Sequence, residues 1–195
     1  PLARAIRGRK VGILGLGRIG QDIARKLAMF GCEIAYHGRR KQDDQTYAYY
    51  DNLTSMAQDV DFLITICPGG EATRGIVNAE VLAASKPGLV LINTARGPII
   101  DLDALYEALK ADQLQAVGLD VLPVEPADPD HPLIKAWAAG EEWIDHRLLI
   151  TPHSAFFTPE SVYDMRFKGG EVALTYLREG RLQNCVNGEF VSHAR

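Results

Sequence analysis

The sequence has few cysteines, no long hydrophobic run and no excess of positive charge, and each absence excludes a class of protein. Cys32, Cys67 and Cys185 are far apart and form no Cys-x-x-Cys pair, so neither a disulfide framework nor a metal site is predicted. No stretch approaches the roughly 18 apolar residues that a membrane-spanning helix needs. The net charge of −4 argues against a nucleic-acid or anionic-membrane partner.

The remaining composition is that of an ordinary globular protein. The 195 residues are 47% hydrophobic and 24% charged, which is enough apolar material for a proper core. Cys32 and Cys67 lie in apolar, strand-like runs and are predicted to be buried thiols. A reducing cytoplasm is therefore the predicted location.

Short apolar runs alternate with helical patterns along most of the chain. Six strands are predicted, at residues 11–15, 32–36, 61–67, 89–94, 115–121 and 148–150. Helices are predicted at residues 18–30, 53–59 and 79–85, after a cap at Asp101, and at residues 159–179, whereas the Pro-rich stretch 123–132 is predicted to be a loop. Because the strands are apolar throughout, the pattern predicts an α/β fold, a doubly wound parallel sheet of Rossmann type with a C-terminal helical tail.

A glycine turn joins the first predicted strand to the first helix. Gly15, Gly17 and Gly20 form a GxGxxG pattern, with Arg18 and Ile19 at its variable positions. The pattern alone is a weak signal in a chain with 18 glycines, but here it follows a strand and opens an amphipathic helix, as dinucleotide binding requires. All five residues are predicted to contact a dinucleotide whose pyrophosphate faces the helix N-terminus.

The tip of the second predicted strand lacks the acidic residue that usually binds the adenosine ribose. About 20 residues after the glycine turn, where that acid is expected, the chain has His37 followed by Arg39 and Arg40. Two guanidiniums suit a ribose 2′-phosphate, so NADP(H) is the predicted cofactor and NAD(H) the alternative. The competing interpretation is that both arginines are surface charges on a solvated loop.

Four longer stretches resemble the D-isomer-specific 2-hydroxyacid dehydrogenases. They are "VGILGLGRIGQDIARKLAMFG", "TRGIVNAEVLAASKPGLVLINTARGPIIDLDALYEAL", "AVGLDVLPVEP" and "LLITPHSAF". Their order is that of the family, and together they are far more specific than a glycine motif. The resemblance runs along almost the whole chain.

The resemblance implies roles for residues that follow predicted strands. Arg96 is similar to the residue that holds the substrate carboxylate and keto oxygen, His153 to the proton donor and acceptor, Glu125 to its carboxylate partner, and Asp120 to a residue near the nicotinamide carboxamide. Further cofactor contacts are expected at Cys67, Pro68, Thr94 and Ala95, and at His153 itself.

The chemistry of 2-keto acid reduction fits these residue types. The reaction needs a hydride source, an anion clamp such as a guanidinium, and a proton donor that titrates near neutrality such as an imidazole. Taken singly, Arg96 and Glu125 could be surface charges and His153 a structural histidine. The three together favour an NADP(H)-dependent oxidoreductase acting on a small 2-keto or 2-hydroxy acid such as glyoxylate or hydroxypyruvate.

Three features depart from the family pattern or qualify it. The interval from Glu125 to His153 is long, and "CPGG" at residues 67–70 replaces a more usual Leu-Pro turn. The tail is similar to a branch that includes the C-terminal-binding-protein corepressors, so a nucleotide-sensing, dimeric interaction module with little turnover is the alternative function.

The resemblance also bears on domain organisation. Residues 1–158 are predicted to form the dinucleotide-binding domain, and residues 159–195 a tail that returns to a substrate domain whose N-terminal part is absent from this chain. The chain is accordingly expected to be a fragment with weak activity or none, and the resemblance implies a homodimer formed through the coenzyme domain.

Overall fold

A seven-stranded parallel sheet organises the first part of the chain in the computed structural model, which describes residues 5–185 and residue 188. The strands are β1 (Lys10–Leu14), β2 (Glu33–His37), β3 (Ala48–Tyr50), β4 (Phe62–Thr65), β5 (Leu89–Asn93), β6 (Leu114–Leu119) and β7 (Leu148–Ile150). The helices are α1 (Arg18–Met29), α2 (Leu53–Asp59), α3 (Ala79–Ala84), α4 (Leu102–Lys110), α5 (Pro132–Ala139) and α6 (Pro159–Glu179). Short 3₁₀ turns lie at Glu71–Thr73 and Gly97–Ile99.

The strand order confirms the predicted doubly wound fold. Across the sheet the strands run β3-β2-β1-β4-β5-β6-β7, and every pairing is parallel. The chain moves outward from β1 to β3 and then returns to place β4 on the other side of β1. In such sheets the crevice for ligands lies outside the carboxyl ends of the strands where the order reverses, here between β1 and β4.

Two apolar cores cover the two faces of the sheet. On one face α1 presents the small buried residues Gly20 and Ala24, and the core includes Ile13 and Tyr36. On the other face the core includes residues of α2, α3 and α4, such as Met56, which is fully buried. Because both faces are covered, the central strands are apolar along their length, which is the pattern that the sequence showed.

The predicted strands and helices are all present, with ends that differ by one or two residues, but two elements were missed. One is the three-residue edge strand β3. The other is α5, which lies in the stretch that was interpreted as a lengthened loop. Pro132 occupies its first turn, the Leu133 amide donates to Nδ1 of His131 at 3.1 Å, and Gly140 ends it with a φ of 66°.

Helix α6 has the predicted bounds and continues through Gly169 and Gly170. Thr158 and Ser161 form a reciprocal capping box at its start, and Gly180 ends it in the left-handed region. The chain divides into two compact units with the break between His153 and Ser154. The end of the predicted tail, at residues 186, 187 and 189–195, and residues 1–4 lie outside the described residues. None of the described helices is both long enough and apolar enough to cross a lipid bilayer.

A group of ionic contacts lies at the amino end of the central strands. The Lys10 ammonium donates to Asp59 and to the hydroxyl of Tyr50, and these bonds raise the pKa of Lys10 to about 12. Oδ2 of Asp61 accepts from the Lys10 amide at 2.9 Å and Oδ1 from Lys86 Nζ at 2.7 Å. Burial alone would raise the pKa of Asp61, but these bonds and the charges of Lys86 and Arg9 together lower it.

We expect Asp61→Asn to lower the free energy of unfolding by about 1–2 kcal/mol at neutral pH, because an amide cannot accept both hydrogen bonds as a carboxylate does. Since the folded-state pKa of Asp61 lies below its usual 3.8, its stabilisation is complete above that value and is lost as the pH falls through the lower one. Urea unfolding at several pH values measures this. The control is Asp51→Asn, at an exposed carboxylate that forms no ion pair with any described residue. A difference between wild type and Asp61→Asn that does not shrink in acid would contradict the assignment.

Candidate active site

The predicted site residues all follow the carboxyl ends of strands and therefore lie along one edge of the sheet. The glycine turn follows β1, His37 ends β2 with Arg39 and Arg40 just after it, and Cys67 and Pro68 follow β4. The segments after β5, β6 and β7 carry the remaining residues, which are Thr94, Ala95, Arg96, Asp120, Glu125 and His153. The structure brings some of these into direct contact, and their roles in binding or chemistry stay predictions.

The glycine turn has the geometry that a dinucleotide pyrophosphate needs. Gly15 has a φ of 101°, and a Cβ there would lie 2.7 Å from the backbone of Cys67. A Cβ at Gly20 would lie 2.3 Å from the carbonyl oxygen of Gly15, whereas one at Gly17 would meet nothing within 4 Å. The first and third glycines thus permit close packing, and the second faces open space.

The N-terminus of α1 also suits an anion. Gly17 is the N-cap residue, no side chain caps the helix, and its first turn contains no acidic residue. The first amides of a helix have no partner within the helix, and they carry the positive end of its dipole. These features fit the pyrophosphate of a nicotinamide dinucleotide held against Arg18, Ile19 and Gly20.

The segment after β2 presents two exposed guanidiniums. Arg39 and Arg40 are exposed, and neither forms an ion pair with a carboxylate in the described part of the chain, although Asp43 and Asp44 follow in the same loop. His37 is half-buried, and its Nδ1–H donates to the carbonyl oxygen of Tyr50 at 2.8 Å. This bond joins the ends of β2 and β3, so one ring nitrogen of His37 already has a structural partner.

A buried asparagine shapes the turn that carries Arg96. Oδ1 of Asn93 accepts from Thr65 Oγ1 at 2.7 Å and from the Ala95 amide at 3.0 Å, and Nδ2 donates to the Arg96 carbonyl at 3.0 Å. Asn93 is 1% exposed. The sequence interpretation missed this residue, although a polar side chain at the end of the apolar strand "LVLIN" was a signal for it.

The side-chain stem of Arg96 packs against Gly69. A Cβ at Gly69 would lie 2.7 Å from Cγ of Arg96, so the "CPGG" turn that departs from the family pattern leaves room for the arginine stem. Nη1 of Arg96 donates to the Ala95 carbonyl at 2.6 Å. Arg96 and Arg74 both line a cavity of about 240 Å³, which is therefore a candidate pocket for a small anion.

Glu125 and His153 meet, despite the long interval between them in sequence. Nδ1 of His153 lies 2.8 Å from Oε2 of Glu125, and Oε1 of Glu125 accepts from the Leu122 amide at 2.9 Å. The hydrogen bond with His153 and then that from Leu122 hold the pKa of Glu125 below its usual 4.5. Helix α5 takes up the extra residues, so the lengthened interval does not separate the pair.

The backbone at His153 is unusual. Its φ is 52°, in the left-handed region that residues other than glycine seldom adopt and that His, Asn and Asp tolerate better than most. Its amide donates to the Thr151 carbonyl at 2.9 Å, which closes a tight turn after β7. The turn brings the imidazole to the Glu125 carboxylate rather than letting the chain continue in an extended direction.

Asp120 links three neighbouring strand ends. It is 6% exposed, its amide donates to the Asn93 carbonyl at 2.9 Å, and its Oδ1 accepts from Thr151 Oγ1 at 2.5 Å. The carboxyl ends of β5, β6 and β7 are thereby tied together. Thr151 was also missed from the sequence, although it too is a polar residue immediately after an apolar strand.

The arginines of the β2 loop and the histidine after β7 occupy opposite ends of the edge. Their strands are five positions apart in the sheet order, which corresponds to roughly 24 Å at the usual strand spacing. The glycine turn and the Arg96 turn lie between them. The structure therefore does not gather the predicted residues into one cluster but spreads them along one edge of the sheet, as an elongated ligand requires.

Comparison with known proteins gives a consistent family match. Residues 1–155 match the family model described as D-isomer specific 2-hydroxyacid dehydrogenase, NAD binding domain. The chain is 41% identical over 129 residues to a glyoxylate/hydroxypyruvate reductase A of Arabidopsis thaliana, covering 66% of this chain and 41% of that protein. It is 32% identical over 189 residues to a glyoxylate reductase of Korarchaeum cryptofilum, covering 95% of this chain and 54% of that protein.

Solved structures agree with the sequence relatives. An NADPH-dependent glyoxylate/hydroxypyruvate reductase from Sinorhizobium meliloti, in complex with NADP and malonate, superposes with a TM-score of 0.80 at 37% identity. The match covers 90% of this chain and 52% of that chain. The chain thus spans about half the length of the relatives it matches.

The Glu125–His153 contact makes a prediction for carboxyl titration. We expect the Glu125 carboxyl to titrate below its usual 4.5 and His153→Gln to move its pKa upward, because the bond with His153 is the largest cause of the lowering. Carbon-detected NMR of the side-chain carboxyls measures both values. His146→Gln, at another exposed histidine that pairs with Asp145, is the control and leaves Glu125 unchanged. An unmoved Glu125 titration in His153→Gln would mean that the two side chains do not interact in solution.

Proposed function

The chain belongs to the D-isomer specific 2-hydroxyacid dehydrogenase family, and we propose that it is the coenzyme-binding part of an NADP(H)-dependent reductase of small 2-keto acids. Residues 1–158 would form the dinucleotide-binding domain and residues 159–195 the tail that returns to a substrate domain. Glyoxylate and hydroxypyruvate are the proposed substrates, since reductases of these two acids are among the relatives.

The contact between His153 and Glu125 carries this proposal. An exposed histidine has no fixed ring orientation, but the carboxylate 2.8 Å from Nδ1 gives this ring one tautomer and one direction. Because Nδ1 is bound to Glu125, we assign proton transfer at the C2 oxygen of the substrate to Nε2. Glu125 would stabilise the imidazolium whenever the ring holds the extra proton.

The anion clamp in this scheme is Arg96. A guanidinium binds a carboxylate through two parallel N–H···O bonds, and the cavity that Arg96 lines is of the right order for a two- or three-carbon acid. Binding there would hold the keto carbon at the sheet edge while His153 approaches its oxygen. A bound nicotinamide dinucleotide supplies the hydride. The turn after Asn93 and the tie through Asp120 keep the clamp and the proton donor at fixed strand ends.

Arg39 and Arg40 support a preference for NADP(H) over NAD(H). Their guanidiniums are exposed and have no described carboxylate partner, and no acid stands at the tip of β2 to repel a 2′-phosphate. One relative with a solved structure is NADPH-dependent by name. His37 would lie beside the adenosine ribose. Its Nδ1 is bonded to Tyr50, so the other side of the imidazole would face the ribose.

The cysteines and the family membership support proposals for compartment and assembly. The buried thiols Cys32 and Cys67 suit a reducing cytoplasm, and burial raises the pKa of both, which keeps them protonated and unreactive. We also propose the homodimer through the coenzyme domain that family membership implies, which sedimentation with and without NADPH would test.

The arginine pair gives the test of cofactor choice. We expect the double variant Arg39→Ala, Arg40→Ala to weaken NADPH binding by about 1–3 kcal/mol for each charge-assisted hydrogen bond to the 2′-phosphate that it removes, with little effect on NADH. Fluorescence titration of the chain with each dinucleotide measures the two dissociation constants. The charge-matched control is Arg166→Ala, Arg178→Ala, at two exposed arginines of α6. Equal losses of affinity for both dinucleotides would return Arg39 and Arg40 to the solvated-loop interpretation.

A second test addresses the chemistry, in the complete protein that contains this chain. We expect His153→Gln to lower kcat for glyoxylate or hydroxypyruvate reduction by about 10²–10⁴-fold, because glutamine cannot supply the proton, while the dissociation constant for NADPH stays within about twofold. Following NADPH absorbance gives the rate, and His146→Gln is the control.

Unchanged turnover in His153→Gln would remove His153 from the mechanism. Negligible turnover in the unaltered protein, together with association that depends on the dinucleotide, would instead favour the alternative of a nucleotide-sensing interaction module.

A further inference from the structure

We propose that Gln42 is a positioning residue for cofactor choice, which holds the loop with Arg39 and Arg40 against the glycine turn. The inference rests on the proposed preference for NADP(H) and extends it to a residue outside the glycine motif and the arginine pair. Gln42 would act through the arginines and would not itself touch the ribose phosphate.

The side chain of Gln42 crosses from one loop to the other. Its Nε2 donates to the carbonyl oxygen of Leu16 at 2.8 Å, and its Oε1 accepts from Nε2 of Gln21 at 3.2 Å. Leu16 lies between the first two glycines of the turn and is 3% exposed, and Gln21 lies in the first turn of α1. The side-chain amide of Gln42 is thus bonded to the part of the chain that would hold the pyrophosphate.

The loop is also held at both of its backbone ends. The backbone amide of Gln42 donates to the hydroxyl oxygen of Tyr36 at 2.8 Å, and the hydroxyl of Tyr49 donates to the carbonyl of Gly38 at 3.3 Å. The rings of Tyr36 and Tyr49 lie 5.2 Å apart, centroid to centroid. Residues 38–42 therefore form a short loop with anchored ends, and the two arginines lie between the anchors.

Anchoring matters because ordering a charged loop on binding costs free energy. A flexible loop with two arginine side chains would lose backbone and rotamer freedom when it closed on a phosphate. The bonds of Gln42 fix the loop backbone before the phosphate binds. The free energy that the arginines gain from the phosphate is therefore offset less by the cost of ordering the loop. A dinucleotide without the 2′-phosphate gains nothing from the arginines, so the hydrogen bonds of Gln42 should favour NADPH selectively.

A double-mutant cycle separates this role from general damage to the fold. We expect Gln42→Ala to lower the ratio of the NADH to the NADPH dissociation constant by about fivefold, the factor for a hydrogen bond of about 1 kcal/mol. In the Arg39→Ala, Arg40→Ala background the same substitution should leave that ratio unchanged, because the groups through which Gln42 acts are gone. Fluorescence titration of the 195-residue chain with both dinucleotides gives all four ratios.

The matched control is Gln45→Ala, which truncates the same residue type in the same loop. The structure gives Gln45 a backbone bond to Gln42 but no side-chain bond among the described residues, so we expect its ratio to equal that of the wild type. Gln21→Ala should act in the same direction as Gln42→Ala with a smaller effect, since Gln42 keeps its bond to Leu16.

The outcomes separate failure of this inference from failure of the proposed function. If the arginine double variant shifts the ratio and Gln42→Ala does not, the positioning role of Gln42 is wrong while the preference for NADP(H) stands. If Gln42→Ala weakens both dinucleotides equally, Gln42 supports the glycine turn only, and the inference is overturned. If the arginine double variant does not shift the ratio, the proposed cofactor choice itself is wrong, and the inference falls with it.

Discussion

Parallel pairing of all seven strands is the constraint on which the candidate site depends. In a parallel sheet the carboxyl ends of all strands lie at the same edge. Residues that are distant in sequence but follow these ends therefore lie along one edge without special contacts between them. The reversal of strand order between β1 and β4 then opens a crevice at that edge. Hydrogen bonds among Asn93, Asp120 and Thr151 refine the placement, but the sheet has already brought these residues together.

The two edges of the sheet have different electrostatic designs. At the amino edge charges are paired: Lys10 with Asp59, and Asp61 with Lys86, each within hydrogen-bond reach. At the carboxyl edge Arg39 and Arg40 have no described carboxylate partner, and α1 begins there without an acidic cap. Paired charges stabilise the fold and attract little, whereas unpaired positive groups beside a helix N-terminus attract an anion. The pairs Lys10–Asp59 and Asp61–Lys86 thus lie at the edge opposite Arg39 and Arg40, while the carboxyl edge also holds one paired site, Glu125 with His153.

Sequence patterns predicted the fold almost completely for two reasons. Strands that are buried on both faces are apolar without interruption, and the longer helices have apolar residues at helical spacing along one face. The patterns missed β3, an edge strand of three residues, and α5, whose start at His131 and Pro132 was interpreted as loop. Arg96, Glu125 and His153 were predicted as site residues through the family resemblance. The roles of Asn93, Thr151 and Gln42 were not predicted, because their partners lie in other segments. Thr151 bonds to Asp120 after β6, Gln42 to Leu16 after β1, and Asn93 to the backbone of Arg96 in the following turn. A polar residue at the end of an apolar strand was a signal for Asn93 and Thr151, but the bonding partners of all three residues become visible only once the strands are arranged.

The left-handed backbone at His153 narrows the routes by which this position can evolve. A replacement must satisfy the hydrogen bond to Glu125 and also accept a φ of 52°, a conformation that β-branched and bulky side chains strongly disfavour. Asparagine and aspartate would tolerate the backbone but have no imidazole to bond with Glu125, and β-branched residues would be strained. A replacement at position 153 must therefore meet a conformational requirement and a chemical one together.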